Sequence, residues 1–221
     1  MSRGAAASRP RVVVATRSAH KLRELRQMLD LGGADLVSLD ELGIPGEPVE
    51  DGLTFETNAR IKARFAARAA GLPALADDSG IEVDALGGAP GVRTRRYAGP
   101  NATDEENNEK LLRELAGVPA GQRGARYVCV LALAVPDRAA PGGLRIIERR
   151  GTSRGRIALE PRGSGGFGYD PLFEPIRERA GGRTFGEYSS EDKDAISHRG
   201  RAARRMTPVL QGLIEGRPPA S

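Results

Sequence analysis

The densest chemistry in this 221-residue chain lies in one stretch, Leu75-Ala76-Asp77-Asp78-Ser79-Gly80-Ile81-Glu82-Val83. Two short apolar runs, at 74–76 and 81–83, flank two adjacent carboxylates, a hydroxyl and a glycine. Neighbouring carboxylates raise each other's pKa, and burial raises both, unless a cation or hydrogen-bond donors offset the repulsion. A hard divalent ion such as Mg2+ does this, held by one or two carboxylates together with substrate phosphates. Asp, Ser and Gly are also turn formers, so the same residues taken alone read as a β-turn at a strand end.

Four other groups could serve that chemistry. Thr16-Arg17-Ser18-Ala19-His20-Lys21 is a polar stretch between an apolar run at 11–15 and a segment where Leu22, Leu25, Met28 and Leu29 recur at helical spacing. Strand, polar loop and helix in that order aim the unpaired N–H groups of a helix start at the loop, which suits a phosphate. Lys21 adds a point charge there, although a solvated lysine on an ordinary loop looks the same in isolation. The glycines of a P-loop are absent. The loop at 43–52 carries Glu47, Glu50 and Asp51, a second source of metal oxygens or simply a solvated loop. The glycine-rich run ending Phe167-Gly168-Tyr169-Asp170-Pro171 lets backbone approach a ligand closely, with Phe167 placed to stack on a base. Ser197-His198-Arg199 brings one of only two histidines beside an arginine.

The elements that must position these groups follow from periodicity. The run at 11–15 reads as a buried strand and 36–39 as a second. Residues 55–70 read as a helix, capped by Thr54 and stopped by Gly71-Leu72-Pro73. Phe55, Ala59, Ala66 and Ala69 line one face of it, widened by Ile61 and Phe65, with Lys62 to a different side. Thr103-Asp104-Glu105-Glu106 is a capping box opening a helix to about residue 116. Residues 127–135 are apolar on both faces and therefore central in a sheet, with 144–148 returning and 151–159 continuing it. Residues 172–173 return to the sheet. A helix starts near 189–193, and a basic helical segment runs from Ser197 towards Leu213. Strands alternating with helices give an α/β fold, a mixed central sheet with flanking helices.

Composition bounds the function. The chain is 39% hydrophobic and 29% charged, a globular balance. One domain at 11–215 is expected, with 1–10 a disordered leader and 216–221 a tail. No apolar run is long enough to span a bilayer, so no membrane partner is expected. The leader has no apolar signal core, so export is not expected. The single cysteine, Cys129, lies in an apolar run and reads as a buried, reduced core residue suited to the cytoplasm. A net charge of +5 favours anionic partners, either nucleic acid or nucleotide phosphates. Tryptophan is absent and other aromatics are few, so no aromatic-studded basic platform for nucleic acid is visible.

Taken together and in order, these segments resemble the inosine triphosphate pyrophosphatase family, hydrolases of non-standard purine nucleoside triphosphates (XTP, dITP, ITP). The matching pieces are Thr16 to Lys21, Gly52-Leu53-Thr54-Phe55-Glu56-Thr57-Asn58-Ala59 with Lys62-Ala63, Ala76 to Gly80, Gly87-Gly88-Ala89-Pro90-Gly91, Phe167 to Pro171, and Ser197-His198-Arg199-Gly200. Any one is weak; six in order are specific. The resemblance implies that Thr16, Arg17, Ser18, Ala19, His20 and Lys21 bind phosphate and that Lys62 reaches it. It implies that Glu50 and Asp78 hold Mg2+, that Asp78 accepts the proton with Asp77 as its partner, and that Ser79 touches substrate. Phe167, Gly168, Tyr169, Asp170, Lys193, His198 and Arg199 would bind the nucleoside. Ser18 departs from the family's usual asparagine, which shortens the reach of that contact. An elongated two-lobed homodimer with the nucleotide in a cleft between the lobes, and no stable nucleic-acid partner, completes what the resemblance implies.

Overall fold

A computed structural model describes residues 9–29 and 31–217. Most of the expected leader and the tail beyond residue 217 therefore lie outside the described residues. The described chain builds one six-stranded mixed sheet, of order β2-β1-β3-β4-β5-β6. β1 (Arg11–Val14) lies parallel to β2 (Asp35–Ser38) and to the start of β3 (Ala74–Val83). β3, β4 (Gly124–Pro136), β5 (Leu144–Ile157) and β6 (Phe173–Pro175) then run antiparallel in succession. The apolar run at 127–135 is the heart of β4, central as expected, and β5 continues through residues 151–157 without a break.

One expectation is overturned. The polar break in the opening stretch is neither a turn nor a strand end, because β3 runs unbroken through it and pairs residue for residue with β4. Asp77 stands opposite Leu131, Asp78 opposite Val130 and Ser79 opposite Cys129. The ladder with a long apolar neighbour overrides the local turn preference of Asp, Ser and Gly.

Side-chain alternation sorts the strands into two faces. Leu75, Cys129, Leu131 and Leu133 pack on one face with α1 (Ala19–Met28) and α5 (His198–Ile214). Ala74, Ala76, Val128 and Val130 pack on the other with α2 (Phe55–Ala70). Thr54 caps α2 by accepting from the Thr57 amide, and Gly71 ends it in the left-handed conformation. The buried stripe of α2 is Phe55, Ala59, Ala63, Ala66 and Ala67; Ala69 is exposed, because the helix turns that residue away from the sheet. A third apolar cluster gathers Ile81, Leu111, Tyr127 and Phe173 at the antiparallel end, under α3 (Asp104–Glu114). α4 (Ser190–Ile196) leads into α5. No described helix is long and apolar enough to cross a membrane.

Candidate active site

β1 stops at Val14 while β3 runs on to Val83, pairing with β1 only at Ala74 and Leu75. Beyond that point no strand pairs with the β1-side edge of β3 until the 89–94 segment closes on Ile81, Glu82 and Val83. β1 also has β2 on one side and β3 on the other, so the chain leaves its carboxyl end at a switch in strand order. Ligand sites in open α/β sheets fall at such points. A cavity of about 410 Å3 lies there, and all eighteen site residues put forward from the sequence line it.

Asp77 and Asp78 are neighbours in sequence but point to opposite faces of β3. Asp77 turns towards α5. It accepts from Arg199 Nε at 2.9 Å, Lys21 Nζ at 2.6 Å, Ser79 Oγ at 2.9 Å and the Cys129 thiol at 3.1 Å. Its side chain has 0% exposure. Burial works against its charge, but Arg199 and Lys21 outweigh burial and hold the carboxyl well below the usual range. Arg199 and Lys21 thus favour the ionised form of Asp77, and the repulsion expected within the pair is relieved by placing its members on separate faces.

Asp78 turns towards α2 and takes the Lys62 ammonium at 2.6 Å; Glu50 lies 3.3 Å from the same nitrogen. Burial raises the Asp78 pKa; Lys62 pulls the other way, and Glu50 adds to the rise. Burial disfavours the Lys62 ammonium, yet Asp78 and Glu50 outweigh it and raise its pKa. Two carboxylates from separate elements thus converge on one cationic point, a donor set that suits Mg2+. No group of three or more His, Cys, Asp or Glu side chains forms a metal cage among the described residues, so such an ion would need oxygens from a phosphate as well. Of the other acids in the 43–52 loop, Glu47 is tied to Arg17 at 3.4 Å and Asp51 is exposed.

The first loop is held by its own side chains. Ser18 caps α1, its Oγ accepting from the Lys21 amide at 3.4 Å, and Thr16 Oγ1 accepts from the Ser18 amide at 3.2 Å. Both hydroxyls keep a proton to donate. The Arg17 guanidinium is engaged by the Ile44 and Gly46 carbonyls at 3.0 and 2.7 Å, and by Asp40. It buckles the acidic loop to this one instead of standing free for a phosphate.

Phe167 stacks on His20 of this loop, with ring centres 5.4 Å apart, and the Lys193 and Arg199 cations lie over its ring at 5.0 and 5.6 Å. Asp170 fixes this corner, accepting from the Phe167 amide at 2.9 Å, Lys193 Nζ at 2.8 Å and the Tyr127 hydroxyl at 3.3 Å. His198 stacks flat on Tyr127 at 4.5 Å. Burial first, then Arg199 and Lys193, hold its pKa well below the usual value, so the imidazole is neutral. Its Nδ1 is buried and has no hydrogen-bond partner. Gly151 on β5 makes this placement fit, since a β-carbon there would overlap the His198 carbonyl.

The sequence reading missed Glu24. Its carboxylate bridges Lys193 Nζ, at 2.8 Å, and the Arg199 guanidinium. Burial opposes its charge, but Arg199 and Lys193 outweigh that and lower its pKa. The available signal was position: Glu24 follows Lys21 by one helical turn and so shares its face. Arg95 and Arg96 were also not put forward. Both line the cavity, and among the described residues neither has an ion-pair partner, unlike Lys21, Lys62, Lys193 and Arg199.

Comparison with known proteins agrees with this geometry. The Ham1 family matches residues 12–209. A dITP/XTP pyrophosphatase of Anaeromyxobacter sp. (strain Fw109-5) is 48% identical over 222 aligned positions, covering 87% of this chain and 93% of that protein. A solved HAM1 protein from Coxiella burnetii superposes with a TM-score of 0.79 at 42% identity, covering 91% of this chain and 98% of that one. The nucleoside-triphosphatase / dITP/XTP pyrophosphatase structure from Mycobacterium abscessus gives 0.70 at 42% identity, covering 90% and 99%. The resemblance seen in the sequence is borne out across nearly the whole fold, and the chain belongs to the Ham1 family.

Proposed function

We propose that this protein hydrolyses non-canonical purine nucleoside triphosphates of the dITP, XTP and ITP class to the monophosphate and pyrophosphate, removing them from the nucleotide pool. The observation that carries this is a single cavity that brings Lys21, Lys62 and Asp78 together with the Phe167 ring. The names of the relatives, dITP/XTP pyrophosphatases, support it.

The α1 start, the hydroxyls of Thr16 and Ser18, and the Lys21 ammonium face the phosphates as donors and charge. Glu50 and Asp78 would hold Mg2+, which supplies neutralisation of the phosphate oxygens when bound. Asp78 gives one oxygen to Lys62, leaving Oδ2 to orient water for attack and take its proton. Asp77, with donors on both oxygens, is an anchor for Lys21 and Arg199 instead. Phe167 stacks on the purine. The first turn of α5, starting at His198, has backbone N–H groups that the helix itself does not use. Such a donor pairs with a keto oxygen at purine position six and meets another donor in adenine, a mismatch costing about 1–3 kcal/mol. Cytoplasmic action as a homodimer completes the reading; sedimentation of the purified protein as a monomer would remove the dimer.

The test is pyrophosphate release from dITP, XTP, ITP, dATP and dGTP, with Mg2+ and with a chelator. Turnover confined to the keto purines, with dITP and XTP ahead of dGTP, and lost on chelation is expected. Equal turnover of dATP, or full activity without a divalent ion, would contradict the reading. The pI of about 9.8 once allowed a nucleic-acid-binding protein, but buried, carboxylate-paired cations make a poor surface for a phosphate backbone.

A further inference from the structure

Phe167 sits next to Gly168, and the backbone of Gly168 is gripped from both sides by α3. Its N–H donates to Asp104 Oδ2 at 2.6 Å, and its carbonyl accepts from Asn108 Nδ2 at 3.0 Å. Asp104 and Asn108 are one helical turn apart, so one face of α3 presents both. Gly168 itself has φ +64°, a conformation glycine adopts readily and L side chains rarely do, so the turn needs glycine and the two hydrogen bonds from α3 fix where it lies. Asn107, beside Asn108 on α3, ties down the 95–98 segment of the cavity wall: it donates to the Arg95 carbonyl at 3.1 Å and accepts from the Ala98 amide at 2.8 Å.

Asn107 and Asn108 are almost fully buried, at 2% and 8% exposure, on a face whose other buried residue is Leu111. Burying an amide costs free energy unless it is hydrogen-bonded. Asn108 also leaves Oδ1 buried without a partner. A position that served packing alone would be better filled by an apolar side chain. None of these three residues touches the acidic end of the cavity.

We propose that α3 is the clamp that sets Phe167 over the purine, with Asp104 and Asn108 as positioning residues for nucleobase recognition that act through the Gly168 peptide. The inference rests on the hydrolase reading above, because it takes the aromatic end of the cavity as the base site. Loss of the clamp leaves the phosphate end intact, so it separates base binding from phosphate binding.

Two measurements test it. The first is steady-state hydrolysis of dITP by Asn108→Ala, Asp104→Ala and Asp104→Asn, with inorganic pyrophosphate as inhibitor. For the two alanine variants the expected result is a KM for dITP raised about tenfold, the size of one lost hydrogen bond to a held peptide. Their kcat should stay within about threefold, the pyrophosphate inhibition constant should be unchanged, and Asp104→Asn should recover much of the loss. An unchanged KM, or a pyrophosphate constant that moves in step with KM, overturns the proposal. The second measurement does not need turnover. The chain has no tryptophan, so Phe167→Trp gives a single reporter on the loop. Iodide quenching of that tryptophan should rise when Asn108→Ala is added, and identical quenching overturns the clamp. Failure of wild-type enzyme to act on dITP would instead strike the hydrolase reading, leaving the quenching comparison to decide the clamp.

Discussion

Asp77→Asn and Asp78→Asn should give opposite phenotypes although the residues are neighbours. Asp77 is fully buried and is the shared counter-ion of Arg199, whose side chain is 2% exposed, and of Lys21, at 19%. Asparagine keeps the shape but removes the charge, and its Nδ2 turns a donor towards donors. Breaking a buried ion pair by removing one partner costs about 3–5 kcal/mol. Glu24 still covers one end of Arg199, so the lower figure applies, about 3 kcal/mol. For a domain of this size that lowers Tm by about 6–12 °C. Asp78 is different. Burial has already raised its pKa, and Glu50 remains as a partner for Lys62, so its neutralisation should move stability by less than about 1 kcal/mol. Loss of a general base, however, lowers kcat by about 10²–10⁴-fold. Differential scanning calorimetry and pyrophosphate release on both variants read the two effects. An Asp77→Asn protein that melts with wild type would refute the ion-cluster reasoning. Wild-type kcat in Asp78→Asn would refute the assignment of the base.

Three further outcomes follow from other contacts. Lys21→Ala should raise KM for the triphosphate by at least about tenfold, since it removes a cation from the α1 start; unchanged KM and kcat in the same assay would exclude that role. Gly151→Ala should weaken nucleoside binding and stability together, because its β-carbon displaces the first turn of α5, and a crystal structure with His198 unmoved would contradict this. Asp194 has its pKa pushed up to about 6 by burial and by Glu24. A carboxyl whose folded pKa is raised stabilises the fold below its unfolded value near 3.8, and that stability is lost as pH rises through 6. Asp194→Asn should therefore gain on wild type above pH 6, by about 1 kcal/mol once partial exposure is discounted, and lose that advantage below pH 4. Chemical denaturation across this range checks it, and a gain independent of pH would count against the cause given.

The sequence by itself determined which residues belong together. Helix stops, the Thr54 and Thr103 caps, the apolar run of β4 and the ordered motifs are written locally, because capping and periodicity act over a few residues. All eighteen site residues named from it line one cavity. What the tertiary structure alone decided is which charge faces which. Asp77 and Asp78 look identical in sequence, and their local chemistry allowed either a turn or a carboxylate pair kept ionised by a metal ion. Pairing with β4 makes the segment a strand, and a strand sends alternate side chains to opposite faces, one to Arg199 on α5 and one to Lys62 on α2. Glu24, Asn107 and Asn108 stayed hidden for the same reason, since their partners lie at distant positions that only folding brings within hydrogen-bond reach.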